Sequence, residues 1–338
     1  MSNNIYYSYD KVLSYNALLN IIIGERGVGK TYGIKEYSIN HYLKKKKQFV
    51  YIRRYKTEIK KALGSNKENK FFEQVKDKFP DHKLTNDNNN FYIDGKICGY
   101  AIPLSTANIL KSASFDNVDT IIFDEFIINK GSYHYLQDEV IQFLDIIETI
   151  GRLRDVKVFL LGNAISTTNP YFTFFDLTLP YNSDVKTFKD GLILVNYIKN
   201  EKYREVKKAT RFGKLISDTK YGKYAIDNEF LTDNKCFIQK KNKNAKFFLI
   251  LLINNKNYGV WKDYKEDIIY ISNDIDPNCP IKFSLNNNDH AEDTILIKTR
   301  NNPFFKNIIE HYRIGRLCFE NQNIKNNVME YLMHFITY

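Results

Sequence analysis

The apolar run Leu18 to Ile23 (LLNIII) meets a glycine-rich turn, and from Thr31 to Leu43 apolar residues recur at mixed helical spacing. The pattern predicts strand, loop and helix in succession. A second buried strand is expected at Gln48 to Ile52, then two polar helical stretches separated by a loop from Gly64 to Lys70. The segment FYIDGKICGYAIPL alternates apolar and polar residues about Asp94-Gly95, which reads as a hairpin. Val118 to Phe123 and Val156 to Leu161 are further buried strands, and Tyr135 to Ile150 is an amphipathic helix between them. Strands alternating with helices imply an α/β layer with a mainly parallel sheet.

Near residue 200 this alternation stops at a dense basic stretch, EKYREVKKATRFGKL. Beyond it, Lys246 to Ile253, Tyr258 to Lys262 and Ile268 to Ser272 predict an antiparallel meander, followed by a strand at Thr294 to Lys298 and helices at Pro303 to Phe319 and Ile324 to Phe335. The expected domains are therefore an α/β domain over residues 1–200, a small linker over 201–230, and an α+β domain over 231–338.

Composition narrows the class. A chain of 338 residues that is 43% hydrophobic and 15% aromatic has enough apolar material for about two cores and is not a disordered chain. The longest uninterrupted apolar run, Phe247 to Ile253, is seven residues, and the first ten residues carry no apolar signal region, so neither a membrane span nor secretion is expected. Cys98, Cys236, Cys279 and Cys318 are widely separated and fit free thiols in a reducing compartment rather than a zinc site. Lys and Arg outnumber Asp and Glu by 50 to 39. The resulting +11 fits a polyanionic partner, although the abundance of Asn, Lys, Ile and Tyr is also what an AT-rich genome produces.

The chemistry begins at Gly24-Glu25-Arg26-Gly27-Val28-Gly29-Lys30-Thr31, a full GxxxxGK[ST] match that follows a predicted strand and opens a predicted helix. Such a loop cradles phosphates with backbone N–H groups, Lys30 reaches the β- and γ-phosphates of ATP, and Thr31 takes Mg²⁺. Asp124, at the end of TIIFD, is placed to complete the metal shell, and the adjacent Glu125 to deprotonate an attacking water. Asn163, just past another strand, is either a γ-phosphate sensor or an ordinary strand-to-loop Asn. Arg152 and Arg154 stand where an arginine finger acting on a neighbouring subunit would lie, with a solvated surface arginine as the alternative. Arg53, Arg54 and Lys56 follow the second strand and are candidates for a phosphate backbone. Lys111 precedes the TIIFD strand and is a candidate contact to nucleotide or DNA, while Lys44 to Lys47 reads as a solvated helix end.

The segments GERGVGKTYGIKEY, FVYIRRYK, FPDHKL, FYIDGKICGYAIPLS, TIIFDEFI, GNAIS with NPYF, and TRFGKLISDTKYGKYAIDNEF occur in this order. Together they resemble the DNA-encapsidation ATPases of small short-tailed bacteriophages with protein-primed linear genomes. The resemblance implies a P-loop ATPase domain of the ASCE type, a linker domain and a degenerate RNase H-like C-terminal domain. It further implies assembly as a ring, five-membered by analogy, on the portal of the procapsid in the host cytoplasm, with a structural RNA in some relatives. It assigns Lys30 and Thr31 to the phosphates, Asp124 to Mg²⁺, Glu125 to the catalytic base, Arg152 to the trans-acting arginine, Lys111 to a contact across the subunit boundary, and Lys56 to DNA in the pore.

A working RNase H-like nuclease needs an acid on its first strand. KFFLILLINN carries none, so nuclease activity is not expected. The expected function is ATP-driven packaging of double-stranded DNA. A helicase or DNA-transfer ATPase is one alternative, and a non-hydrolysing nucleotide-dependent DNA-binding scaffold is another.

Overall fold

In the computed structural model, residues 5–64, 69–107, 114–128, 134–164, 169–180, 183–227, 237–298 and 301–336 are described. The elements in order are α1 (Asp10–Ser14), β1 (Leu19–Gly24), α2 (Lys30–Lys45), β2 (Gln48–Arg53), α3 (Lys56–Leu63), α4 (Lys70–Glu73), β3 (Leu84–Asp87), β4 (Asn90–Ile93), β5 (Lys96–Pro103), β6 (Val118–Asp124), α5 (Glu139–Gly151) and β7 (Lys157–Asn163). They continue with α6 (Pro170–Phe175), β8 (Val185–Phe188), β9 (Ile193–Tyr197), α7 (Glu201–Ala209), α8 (Arg211–Ile216) and α9 (Lys220–Ala225). The rest of the chain forms β10 (Lys246–Ile253), β11 (Lys256–Asp263), β12 (Ile268–Ser272), β13 (Lys282–Ser284), β14 (Ile295–Leu296), α10 (Pro303–Arg313), β15 (Leu317–Phe319) and α11 (Gln322–Ile336).

The chain divides into two units, Met1–Ser166 with Leu177–Thr232, and Thr167–Asp176 with Asp233–Tyr338. The helices α7 to α9, expected as a separate linker, thus fall within the first unit. A short segment expected in the first domain, Thr167–Asp176, falls within the second.

The first unit is built on a sheet of order β3-β4-β5-β2-β6-β7-β1-β9-β8. Its centre is parallel, because β2 pairs with β5 and β6, and β7 with β6 and β1, and β1 also pairs with β9 in parallel. These central strands read as near-continuous apolar runs because helices cover both faces. Every residue of β1 is buried, and the one polar member, Asn20, donates its Nδ2 to the carbonyls of Ala17 and Val158. The edge hairpin β4–β5 turns on Asp94 and Gly95, both at positive φ (51° and 76°), the conformation a tight two-residue turn demands.

Between α4 and β4 the rings of Phe49, Phe71 and Phe91 stack, with centroids 4.1 Å apart for Phe71 and Phe91 and 5.2 Å for Phe49 and Phe91. The sequence did not flag β3 or the β8–β9 hairpin, although VKTFKDGLILVNY carries both strands about a turn at Lys189, Asp190 and Gly191, all with positive φ.

The second unit has a sheet of order β14-β13-β10-β11-β12-β15. The antiparallel meander β10–β11–β12 is where the sequence put it, and β13 joins β10 in parallel. The apolar sides of α10 and α11 close its core through Phe305, Ile308, Val328 and Leu332, and α6 packs on α11. Two expectations change here. The helix from Pro303 stops at Arg313, because Gly315 turns the chain at φ 74° and Leu317–Phe319 pairs with β12 as β15. The strand expected at Thr294 to Lys298 shortens to Ile295–Leu296.

Phe91 is fully buried in its ring stack. Phe91→Ala is expected to cost about 3–5 kcal/mol, read as a lower denaturant midpoint at unchanged slope.

Candidate nucleotide site

Because β7 stands between β1 and β6, Gly24 lies opposite Asn163 and Leu161 opposite Asp124 at the carboxyl edge of the sheet. The glycine-rich loop leaves β1 at this edge and enters α2 through Gly29, whose φ of 101° is closed to most side chains. The first turn of α2 therefore turns unpaired N–H groups and the positive end of its dipole toward the edge.

Lys30 is buried, and its Nζ donates to the carbonyls of Gly24 and Glu25 and to Asn163 Oδ1, each at 3.0 Å. Burial pulls its ammonium down to about 8, against the opposing pull of Asp124 and Glu25. Thr31 Oγ1 lies 3.2 Å from both carboxylate oxygens of Asp124, and Tyr51 donates its hydroxyl to Asp124 Oδ2 at 2.9 Å. A hydroxyl and a carboxylate converging at the phosphate loop form a hard oxygen donor set, which fits Mg²⁺. Val28 is fully buried and packs the loop onto the core, while Arg26 is exposed at its crest.

Glu125 follows β6 at φ 59°, and its side chain is 58% exposed. Its Oε2 accepts from Arg53 Nη2 at 2.5 Å. Arg53 also donates to Glu58 Oε1 at 3.2 Å, and its Nη1 stands 3.8 Å from Asp124. Arg54 is buried in a two-point pair with Glu139 on α5 (2.6 and 2.8 Å), and it donates to the carbonyl of Phe126. Carboxylates at the end of β6 and on α5 draw both guanidinium groups inward, where the sequence had offered Arg53 and Arg54 to a phosphate backbone. Lys56, in contrast, is exposed at the first turn of α3. Lys111 lies outside the described residues.

The two arginines after α5 separate clearly. Arg154 donates to the carbonyls of Phe115, Asp116, Val118 and Ile150 and is a structural clamp. Arg152 caps α5 at φ 50° and is exposed, next to a fully exposed Leu153.

Sequence reasoning missed the residues that arrive from α7. Lys207 Nζ donates to the carbonyls of Arg26 (2.7 Å) and Ala225 (2.6 Å), and Tyr203 donates its hydroxyl to the Arg26 carbonyl at 3.3 Å. Arg204 Nε lies 3.6 Å from Glu25 Oε1. No local signal marks a contact made across so long a stretch of chain.

In the second unit the carboxylates are used singly. Asp263 accepts from Asn242 and from the amides of Lys265 and Glu266, Asp289 from the amides of Asn254 and Asn255, and Asp267 pairs with His311. Among the described residues no cluster of three or more His, Cys, Asp or Glu could hold a metal, and no helix is long and apolar enough to cross a membrane. Cys98, Cys279 and Cys318 are free thiols, and Cys236 lies outside the described residues.

The family model for the podovirus DNA encapsidation protein (Gp16) matches residues 1–336. The DNA packaging protein of Bacillus phage phi29 is 38% identical over 332 residues, 98% of each chain, and that of Bacillus phage B103 is 36% identical over 313 residues, 92% of this chain and 95% of the other. A chain from the solved viral genome packaging motor assembly of phi29 superposes with a TM-score of 0.78 at 37% identity, covering 97% of this chain and 99% of that one. With a family model spanning nearly every residue and relatives matched along their whole length, the chain belongs to the podovirus DNA encapsidation (Gp16) family.

Proposed function

We propose that this chain is the ATP-hydrolysing subunit of a motor that drives double-stranded DNA into a preformed viral shell. The observation that carries the reading is the convergence of Lys30, Thr31, Asp124, Glu125 and Asn163 on one edge of a parallel sheet, in a chain of the encapsidation family. The strand order β2-β6-β7-β1-β9, with one strand between the loop-bearing and the acid-bearing strands, is that of ASCE-type ATPases.

The resting geometry says what must move. Lys30 leaves the carbonyls of Gly24 and Glu25 to reach the β- and γ-phosphates, and Asn163, its partner at 3.0 Å, lies close enough to contact the same phosphate or the attacking water. Glu125 becomes a general base only after parting from Arg53, so that ion pair holds hydrolysis off until the site closes. Thr31 and Asp124 are the residues that would hold Mg²⁺, which supplies charge neutralisation at the β- and γ-phosphate oxygens. Arg152, exposed beside the apolar Leu153, is placed to act on a neighbouring subunit's nucleotide, so the sites are completed at the boundaries of a homo-oligomeric ring mounted on the portal in the host cytoplasm.

In the second unit the order β12-β11-β10-β13-β14 supports an RNase H-like reading, while its carboxylates cap turns or pair with cations, Asp267 with His311, Lys262 and Arg316. Exposed Lys240, Lys243 and Lys246 fit nucleic-acid or portal binding without cleavage.

Glu125→Gln is expected to bind ATP as the unchanged protein does and to lose about 10²-fold or more of its steady-state turnover. Turnover at the unchanged rate in a phosphate-release assay removes Glu125 from the base role. Arg152→Ala and Lys30→Ala are each expected to be inactive alone, and mixing them in one ring should restore part of the ATPase, because one supplies the site and the other the finger. Absence of rescue with both proteins folded counts against a trans arginine. DNA affinity is expected to fall linearly with the logarithm of salt concentration and to be nearly indifferent to sequence, with Lys56→Ala lowering the salt slope by about one; a titration series at several ionic strengths checks this.

A further inference from the structure

The Glu25 side chain is fully buried, yet apart from its own backbone amide its carboxylate oxygens have no hydrogen-bond partner among the described residues. The cation facing it, Arg204 on α7, is only partly buried, but its Nε is enclosed without a partner and stops 3.6 Å from Glu25 Oε1, beyond hydrogen-bond length. The same unit contains a pair built for stability, Arg54 with Glu139, which closes to 2.6 and 2.8 Å at two points. A buried carboxylate facing an enclosed donor that it does not reach forgoes free energy that such a closed pair recovers. The gap is held by neighbouring contacts, since Lys207 and Tyr203 tie α7 to the Arg26 carbonyl and so fix how close Arg204 can come.

The place of this pair gives it a role. Glu25 is the second residue of the phosphate loop, and its own carbonyl accepts from Lys30 Nζ at 3.0 Å. A carboxylate here repels the polyphosphate for which the loop is shaped. It also faces the cations that polyphosphate seeks, namely Arg204 and Lys207 from α7 and Lys30 from α2, and burial raises its carboxyl above the usual range against their pull. An entering polyphosphate competes with Glu25 for these cations, and a guanidinium with an unused donor is suited to transfer, because its fork matches phosphate oxygens.

We propose that Glu25 and Arg204 form a charge gate at the phosphate loop, in which Glu25 holds Arg204 in reserve and nucleoside polyphosphate takes it over. Arg204 is thereby a cation of the nucleotide site supplied within the same subunit, and nucleotide occupancy is felt by α7. This rests on the reading of the loop as a nucleotide site.

The test is equilibrium binding of a fluorescent, non-hydrolysed ATP analogue to the full chain and to Glu25→Gln and Arg204→Ala, with thermal melts to establish that each is folded. Where Arg204→Ala does not melt cooperatively, Arg204→Gln replaces it. The gate predicts opposite shifts of about ten-fold, the scale of one charge-assisted hydrogen bond. Glu25→Gln tightens binding by freeing Arg204, Arg204→Ala weakens it, and the same opposite shifts appear in KM for ATP. A pair serving only to brace the fold is broken equally by either substitution, so shifts in the same direction, or no shift in either variant, overturn the gate. If the unchanged protein binds no nucleotide analogue, the nucleotide-site reading fails; if it binds and the opposite shifts are absent, the gate alone fails.

Discussion

The placement of β7 between β1 and β6 is the constraint on which the rest of the molecule depends. Parallel pairing on both sides of β7 brings three strand ends to one edge, so a loop at residue 24, a carboxylate at 124 and an amide at 163 become neighbours although they are far apart in the chain. The central strands tolerate this because they are apolar throughout and covered on both faces, which leaves their carboxyl ends as the place where polar side chains can gather.

At that edge the candidate site residues are largely partnered with one another. Lys30 is bonded to carbonyls of its own loop and to Asn163, Glu125 to Arg53, and Thr31 to Asp124. These contacts satisfy most of the polar groups gathered there, while the Glu25 carboxylate, apart from its own amide, and the Nε atoms of Arg53 and Arg204 stay without a partner. Arg53 is one of the side chains that knit this edge together. Standing at the end of β2, it reaches carboxylates on α3, at the end of β6 and just after it, so one guanidinium faces three carboxylates.

Much of this was legible in the residues. The glycine spacing, the apolar run ending in Asp124-Glu125, the Asp94-Gly95 hairpin and the meander from Lys246 rest on local periodicity and turn chemistry, and these carry over directly into structure. What was not legible depends on tertiary neighbours. Nothing in IRRYK says that Arg53 and Arg54 turn inward while Lys56 remains outside, because the deciding partners, Glu125 and Glu139, lie on other elements. The approach of Tyr203, Arg204 and Lys207 to the phosphate loop is a long-range contact of a helix whose sequence reads only as basic. The end of α10 was misplaced because an apolar LCF continues a helical pattern as readily as it forms a strand, and Gly315 decided between them.

The clamp made by Arg154 links two parts of the first unit that are distant in the chain. Its donors grip the last turn of α5 and the segment leading into β6, so the exposed corner that carries Arg152 cannot shift without pulling on that segment. The corner after α5 is therefore tied to the foot of β6. That strand bears Asp124 at its far end, about 20 Å away at the rise of an extended chain. The exposed corner and the acidic strand end are thus joined by one strand and the carbonyl contacts of a single side chain.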